Sequence, residues 1–142
     1  MMVLVWPVAF EKIGQTVTAD RDGQGRPHLG VDLFCAANTP VFAAHEGAVI
    51  RVVDGRGSAD PNRRRAGLWV DVGFGRVVFR YLHLGQAIVE PGEQVFSKSL
   101  LGFVAPGGRA HLHFEIRKRT ESGYGAALDP LLLLPKRGDT DV

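Results

Sequence analysis

Eighteen glycines and eight prolines cut this 142-residue chain into short apolar runs, and that punctuation limits what it can fold into. Runs of this length between turn-forming residues favour many strands over helices. The clearest is RAHLHFEIR, Arg109 to Arg117, where Leu112, Phe114 and Ile116 alternate with His111, His113 and Glu115. A period of two is that of a β-strand with one face in a core. His111, His113 and Glu115 therefore project together from the other face. A His-x-His pair on one strand face aims two imidazoles at one point, as metal sites require. Two histidines on a half-solvated sheet face would read the same, so the pair needs partners.

The rest of the chain reads in the same way. LGVDLFCA, TPVFAA and GAVIRVVD are strands, the last two separated by a turn at His45–Gly47. LWVDVGF and RVVFRYLHL form a hairpin turning at Gly73–Gly75. Met1 to Phe10 is an opening segment with strand character, and Glu11 to Pro27 is loop. Arg56 to Gly67, RGSADPNRRRAG, has the marks of an exposed loop. The stretch after Thr120 also reads as loop, ending in DPLLLLP and a polar tail. A weak internal echo links TPVFAAHEGAV (Thr39 to Val49) with EQVFSKSLLGFV (Glu93 to Val104). Two such β units stacked on each other would make a compact sandwich or barrel, an all-β fold with little or no helix.

Composition excludes several classes. Hydrophobic residues make up 45% and charged residues 23%, ordinary values for a globular chain with a real core. A net charge of +2 does not suit a nucleic-acid binder. The single cysteine, Cys35, allows no internal disulfide and reads as a packed, structural thiol. The apolar start is short, lacks a positive segment and is interrupted by Pro7, so no signal peptide is expected. No run is long enough for a membrane helix, and nothing in the pattern demands more than a monomer.

Partners for the histidine pair come from PHLGVD, which offers His28 and Asp32. Gly30 and the flanking residues place these on a loop running into a strand, where period two still lets them converge. Asp32 is a carboxylate in an apolar strand, costly to bury unless paired or bound to metal. Two histidines and one carboxylate form a common ligand set for catalytic zinc, with one position left open. One histidine of the pair would complete that set, and the other would stand beside the metal with its proton chemistry free. His83, in RYLHLG, alternates with Tyr81 and can face the same side. His45, in AAHEG, reads as a solvent-exposed turn residue.

In this order, HLGVD, TPVFAAHEGAVIRVV, YLHL, HLHFEIR and a closing DP resemble the lysostaphin-type zinc endopeptidases. These are peptidoglycan hydrolases of the glycyl-glycine and β-lytic type. The resemblance runs from about Trp6–Pro7 to Pro130, and its strength lies in the ordered set rather than in any single motif. It implies an antiparallel β fold with a duplicated hybrid motif, in one metallopeptidase domain over 1–135 followed by a polar tail over 136–142. It implies one zinc ion held by His28, Asp32 and His113, with His83 and His111 as catalytic histidines. The implied activity is hydrolysis of peptide bonds in peptidoglycan cross-bridges or stem peptides by a metal-activated water. The implied place of action is the bacterial cell wall.

Two features depart from the family pattern. The approach to His-x-His, often ending TGPHLHF in the family, is VAPGGRAHLHF here, with Arg109 and Ala110 in its place. The charged insertion from Arg56 to Gly67 stands where a Gly-rich connection is expected, and Arg63, Arg64 and Arg65 could meet an acidic substrate or simply lie in solvent. Two other functions compete with the peptidase. A non-catalytic module that binds or activates a wall hydrolase would typically have lost metal ligands, and all are kept here. A histidine phosphocarrier on a related β fold would leave Asp32 without a task.

Overall fold

The computed structural model describes residues 2–18 and 23–136. Ten strands account for nearly all its regular structure: β1 (Lys12–Ile13), β2 (Val31–Phe34), β3 (Pro40–Phe42), β4 (Gly47–Asp54), β5 (Leu68–Phe74), β6 (Val77–Ala87), β7 (Gln94–Val95), β8 (Leu100–Val104), β9 (His111–Thr120) and β10 (Gly123–Leu128). They form one antiparallel sheet whose main path runs β1-β2-β9-β6-β5-β4-β7, with β10 beside β9 and β8 joining β6 to β3. The fold is thus all-β, as the alternation predicts, and the sheet is open rather than a closed barrel. The hairpin of β5 and β6 turns where the glycines place it, at Gly75 with φ 55°. Among the described residues no helix is long and apolar enough to cross a membrane.

The internal echo has a structural counterpart. Its first halves, β3 and β7, and its second halves, β4 and β8, pair crosswise: β3 with β8 and β4 with β7.

Two expectations are corrected. The segment after Thr120 is not loop: β10 returns along β9, and a 3₁₀ turn follows at Pro130–Leu132, capped by Asp129. GYGAAL has little apolar alternation, so the strand is made by ladder bonding to β9 and not by its own pattern. The Arg56–Gly67 insertion is exposed, but it contains a short helix, α1 (Pro61–Ala66). Asp60 accepts from the Asn62 N–H at its start and Pro61 opens it. The polar tail falls outside the described residues from position 137 onward.

The core lies against one face of β9. Leu112, Phe114 and Ile116 are fully buried with Val31 and Leu33 of β2 and Phe79 and Tyr81 of β6. Each contributes about 1.5–3 kcal/mol by leaving water. The opposite face of β9 is also largely closed, with His113 and Glu115 only 8% and 5% exposed. That face is a buried polar site, not the half-solvated surface that alternation alone would allow.

Candidate metal centre and its histidines

β2 and β9 are antiparallel neighbours, and their register sets Asp32 directly opposite His113. Asp32 Oδ1 lies 2.8 Å from His113 Nδ1, and Asp32 Oδ2 lies 3.2 Å from His28 Nε2. His28, just ahead of β2, is held by a bridge to Thr18 and by its Nδ1, 2.9 Å from the Thr16 carbonyl. A carbonyl only accepts, so Nδ1 carries the proton and Nε2 keeps its lone pair for the site. Gly30 makes the close approach possible. A Cβ there would collide with the Phe114 carbonyl and sit 2.9 Å from His113 Nε2.

His113 is turned by Glu115, which alternation puts on the same face of β9 but to which the sequence alone assigns no role. Glu115 Oε2 lies 2.7 Å from His113 Nε2, which leaves Nδ1 aimed at Asp32. A carboxylate behind a ligand histidine fixes its tautomer and raises its basicity. Glu115 itself belongs to a row of charges crossing four strands in register: Arg51, Asp71, Arg80 and Glu115 on β4, β5, β6 and β9. Arg80 Nε meets Asp71 Oδ1 at 3.0 Å and Arg80 Nη1 meets Glu115 Oε1 at 3.2 Å. Arg51 pairs with the far oxygen of Asp71 at 3.3 Å, and Arg117 donates to Glu115 at 2.9 Å. The Tyr124 ring from β10 covers Arg80 and Arg117, with centroid distances of 4.2 and 4.8 Å. The signal for this row was present in the sequence as alternating charges on strand faces, but only the pairing of strands reveals it.

The electrostatics follow from these contacts. Burial opposes a charge on His113, but its hydrogen bonds to Asp32 and Glu115 overcome that and raise its pKa to about 9. Burial likewise works to raise Glu115, and the His113 bond and charge, with Arg80 and Arg117, outweigh it and hold the carboxyl at about 2. Asp32 is lowered against the same burial by His113, His28 and His111.

His83 and His111 stand at the open side. Their rings are 4.8 Å apart, and His83 is 5.9 Å from the His113 ring. His111 Nδ1 lies 3.0 Å from the Arg109 carbonyl, so Nε2, 3.9 Å from Asp32, carries the lone pair when the ring is neutral. The expected shared side of Tyr81 and His83 is corrected. Tyr81 points into the core, where its hydroxyl accepts from the Ala44 N–H. His83 is turned the other way by a bulge, since three steps from Tyr81 to Leu84 match two from Val70 to Leu68. It has φ 70° and sits where β6 leaves β9, after Leu82, and takes up β8, at Leu84. A positive φ at a non-glycine residue is strained, and such strain concentrates at functional sites. Burial, with the neighbouring His111 and His113, pushes its pKa down to about 4.

The remaining histidine and the cysteine lie apart from this cluster. His45 is half-buried, not solvent-exposed as expected, because its ring packs on Phe74 and Phe79 at 4.5 and 5.7 Å. Cys35 is half-buried against the core, and burial raises its thiol pKa, as suits a structural residue.

His28, Asp32 and His113 each offer one ligand atom, and these atoms all lie within 4.8 Å of one another. A tetrahedral site with bonds near 2.1 Å needs ligand separations of about 3.4 Å. Both histidines have their second nitrogen anchored on an acceptor, so the donor set fits a metal ion.

An antiparallel β fold with a His-Asp-His cluster flanked by two further histidines defines a protein with a site that could hold a metal ion. Residues 26–130 match peptidase family M23, and the chain belongs to that family. It is 29% identical over 117 residues to peptidoglycan DD-endopeptidase ShyA of Vibrio cholerae, covering 78% of this chain and 25% of that protein. A zinc-containing peptidase from Vibrio cholerae superposes with a TM-score of 0.70 at 25% identity, over 87% of this chain and 37% of the other. The catalytic domain of lysostaphin from Staphylococcus simulans gives 0.67 at 25% identity, over 85% of this chain and 90% of that domain. The chain thus spans about a quarter of the curated relative it matches.

Proposed function

We propose that this chain is a zinc-dependent endopeptidase that hydrolyses peptide bonds in bacterial peptidoglycan, in cross-bridges or stem peptides, with residues 1–135 as one metallopeptidase domain. The observation that carries the reading is the meeting of five side chains from three distant segments: His28 and Asp32, His83, and His111 and His113. Zinc, when bound, supplies Lewis acidity and lowers the pKa of a coordinated water to about 7. His28 Nε2, an Asp32 oxygen and His113 Nδ1 would hold it, with Thr16 and Glu115 fixing the two rings from behind.

The two remaining histidines divide the proton work. His111 presents its Nε2 lone pair to the site because Nδ1 is committed to the Arg109 carbonyl, which suits it to take a proton from the attacking water. His83 stays neutral down to a pKa of about 4. A neutral imidazole with so low a pKa is a poor base and a good N–H donor, suited to the oxygen that becomes negative in the transition state.

Metal analysis of the purified protein beside Asp32→Ala, followed by digestion of intact peptidoglycan with and without chelator, tests the reading. Near-stoichiometric zinc that collapses in the variant, with chelator-sensitive release of peptides, is the expected result. Equal, negligible zinc in both proteins after zinc is supplied would end it.

A further inference from the structure

The two departures from the family pattern noted in the sequence meet in the fold. A cavity of about 270 Å³ opens beside the paired histidines, lined among others by Arg56 and Gly67 of the insertion, His83, and Gly107, Arg109 and His111 of the β8–β9 connection. We propose that this cavity is a subsite for a carboxylate on the substrate peptide and that Arg109 is its specificity-determining residue. The inference rests on the peptidase reading and adds a substrate class to it.

The chemistry of the walls carries the argument. Two arginines, Arg56 and Arg109, are among the residues that line the cavity, and no acidic residue is. The two are not equivalent. Arg56 is matched by Asp54, with bonds of 2.9 and 2.8 Å from Nε and Nη2, and its Nη1 donates to the Gly85 carbonyl at 3.0 Å. Its charge is neutralised, and its task is to fasten the insertion to β6. Arg109 has no acidic partner among the described residues. Its guanidinium lies over the Phe34 ring, 5.0 Å from the centroid, and the same ring packs against His111 at 5.5 Å. A guanidinium stacked by its face keeps its N–H fork free for a planar anion such as carboxylate. The Arg109 carbonyl also anchors His111. The same residue therefore offers the side chain to the anion and, through its backbone, aims the histidine. Gly107 and Gly108 have open space where a Cβ would stand, so a peptide can approach the loop backbone.

The test uses two synthetic peptides, identical except that one carboxylate near the scissile bond is free in one and amidated in the other. They are given to zinc-loaded wild type, Arg109→Gln, Arg109→Lys and Arg56→Gln. Wild type should favour the free acid by about tenfold or more in kcat/KM, mainly through KM. Arg109→Gln should erase that preference by bringing kcat/KM for the free acid down toward that for the amidated peptide. Arg109→Lys should restore part of it, and Arg56→Gln should keep it. Equal cleavage of both peptides by wild type overturns the subsite, and so does a preference that survives in Arg109→Gln, the result expected if the metal itself held the carboxylate. Cleavage of neither peptide by metal-loaded wild type counts against the peptidase reading. Titration of the same peptides, followed by the imidazole NMR signals, then decides the subsite alone: binding that needs both the carboxylate and Arg109 upholds it, and its absence overturns it.

Discussion

Glu115 Oε2 sits 2.7 Å from His113 Nε2, two residues along the same strand, and this contact turns the other ring nitrogen toward Asp32. The candidate site is therefore set from behind, by a charge outside the His28, Asp32 and His113 group that could hold a metal. We predict that Glu115→Ala weakens metal binding by about 10–100-fold, measured by competition with a coloured chelator. Glu115→Gln should lose less, because an amide oxygen still accepts from Nε2. Equal affinity in all three proteins would mean that the contact has no orienting role.

The same carboxylate is one end of the row through Arg80 and Asp71. Removing one partner of a buried pair leaves the others unmatched, at a cost of about 3–5 kcal/mol. Arg80→Ala leaves Asp71, fully buried, with Arg51 alone and Glu115 with Arg117 and His113, so the loss should fall toward the low end of that range. Its urea unfolding should show that loss. Asp54→Ala at the exposed end of β4 should change stability little, since its partner Arg56 is solvated.

Without metal, stability should peak near pH 6.5. His113 is raised from 6.5 to about 9, so its contribution is full below 6.5 and lost as pH rises through 9. His83 is lowered from 6.5 to about 4, so its penalty for charging appears as pH falls below 6.5. Glu115, lowered from 4.5 to about 2, adds stability above 4.5 that is lost toward 2. Melting temperatures of chelated protein across pH 4–9 check the peak. Zinc-loaded protein should show a weaker alkaline decline, because the ion takes the place of the His113 proton. A flat profile without metal would contradict the charged His113.

Gly30→Ala should disable the site without replacing a ligand. The added methyl collides with the Phe114 carbonyl and crowds Glu115 Cγ and His113 Nε2, at 2.8 and 2.9 Å. Lower metal content with a retained strand signature in circular dichroism is the expected outcome. Full metal occupancy would show that β2 can shift at no cost.

His83→Ala and His111→Ala should keep full zinc and lose about 10²–10⁴ in kcat on wall peptides. Either variant losing zinc along with activity would move that histidine into the ligand set.

The sequence by itself indicated most of the strands and the candidate residues of the site. Period two in LHFEI and the punctuation by Gly and Pro are local signals, and burial on one face makes them unambiguous. His28, Asp32, His83, His111 and His113 were legible because ligand chemistry needs those residue types in compatible spacings. Tertiary structure alone decided how they meet. Asp32 faces His113 because β2 pairs with β9 in one register. His83 turns from core to site because β6 carries an extra residue where it changes partner. The roles of Glu115 and Arg80, the β10 strand and the cavity at Arg109 depend on residues far apart in the chain. A ladder bond or an ion pair between strands leaves no periodic trace in either strand, so the fold had to be in hand before these could be read.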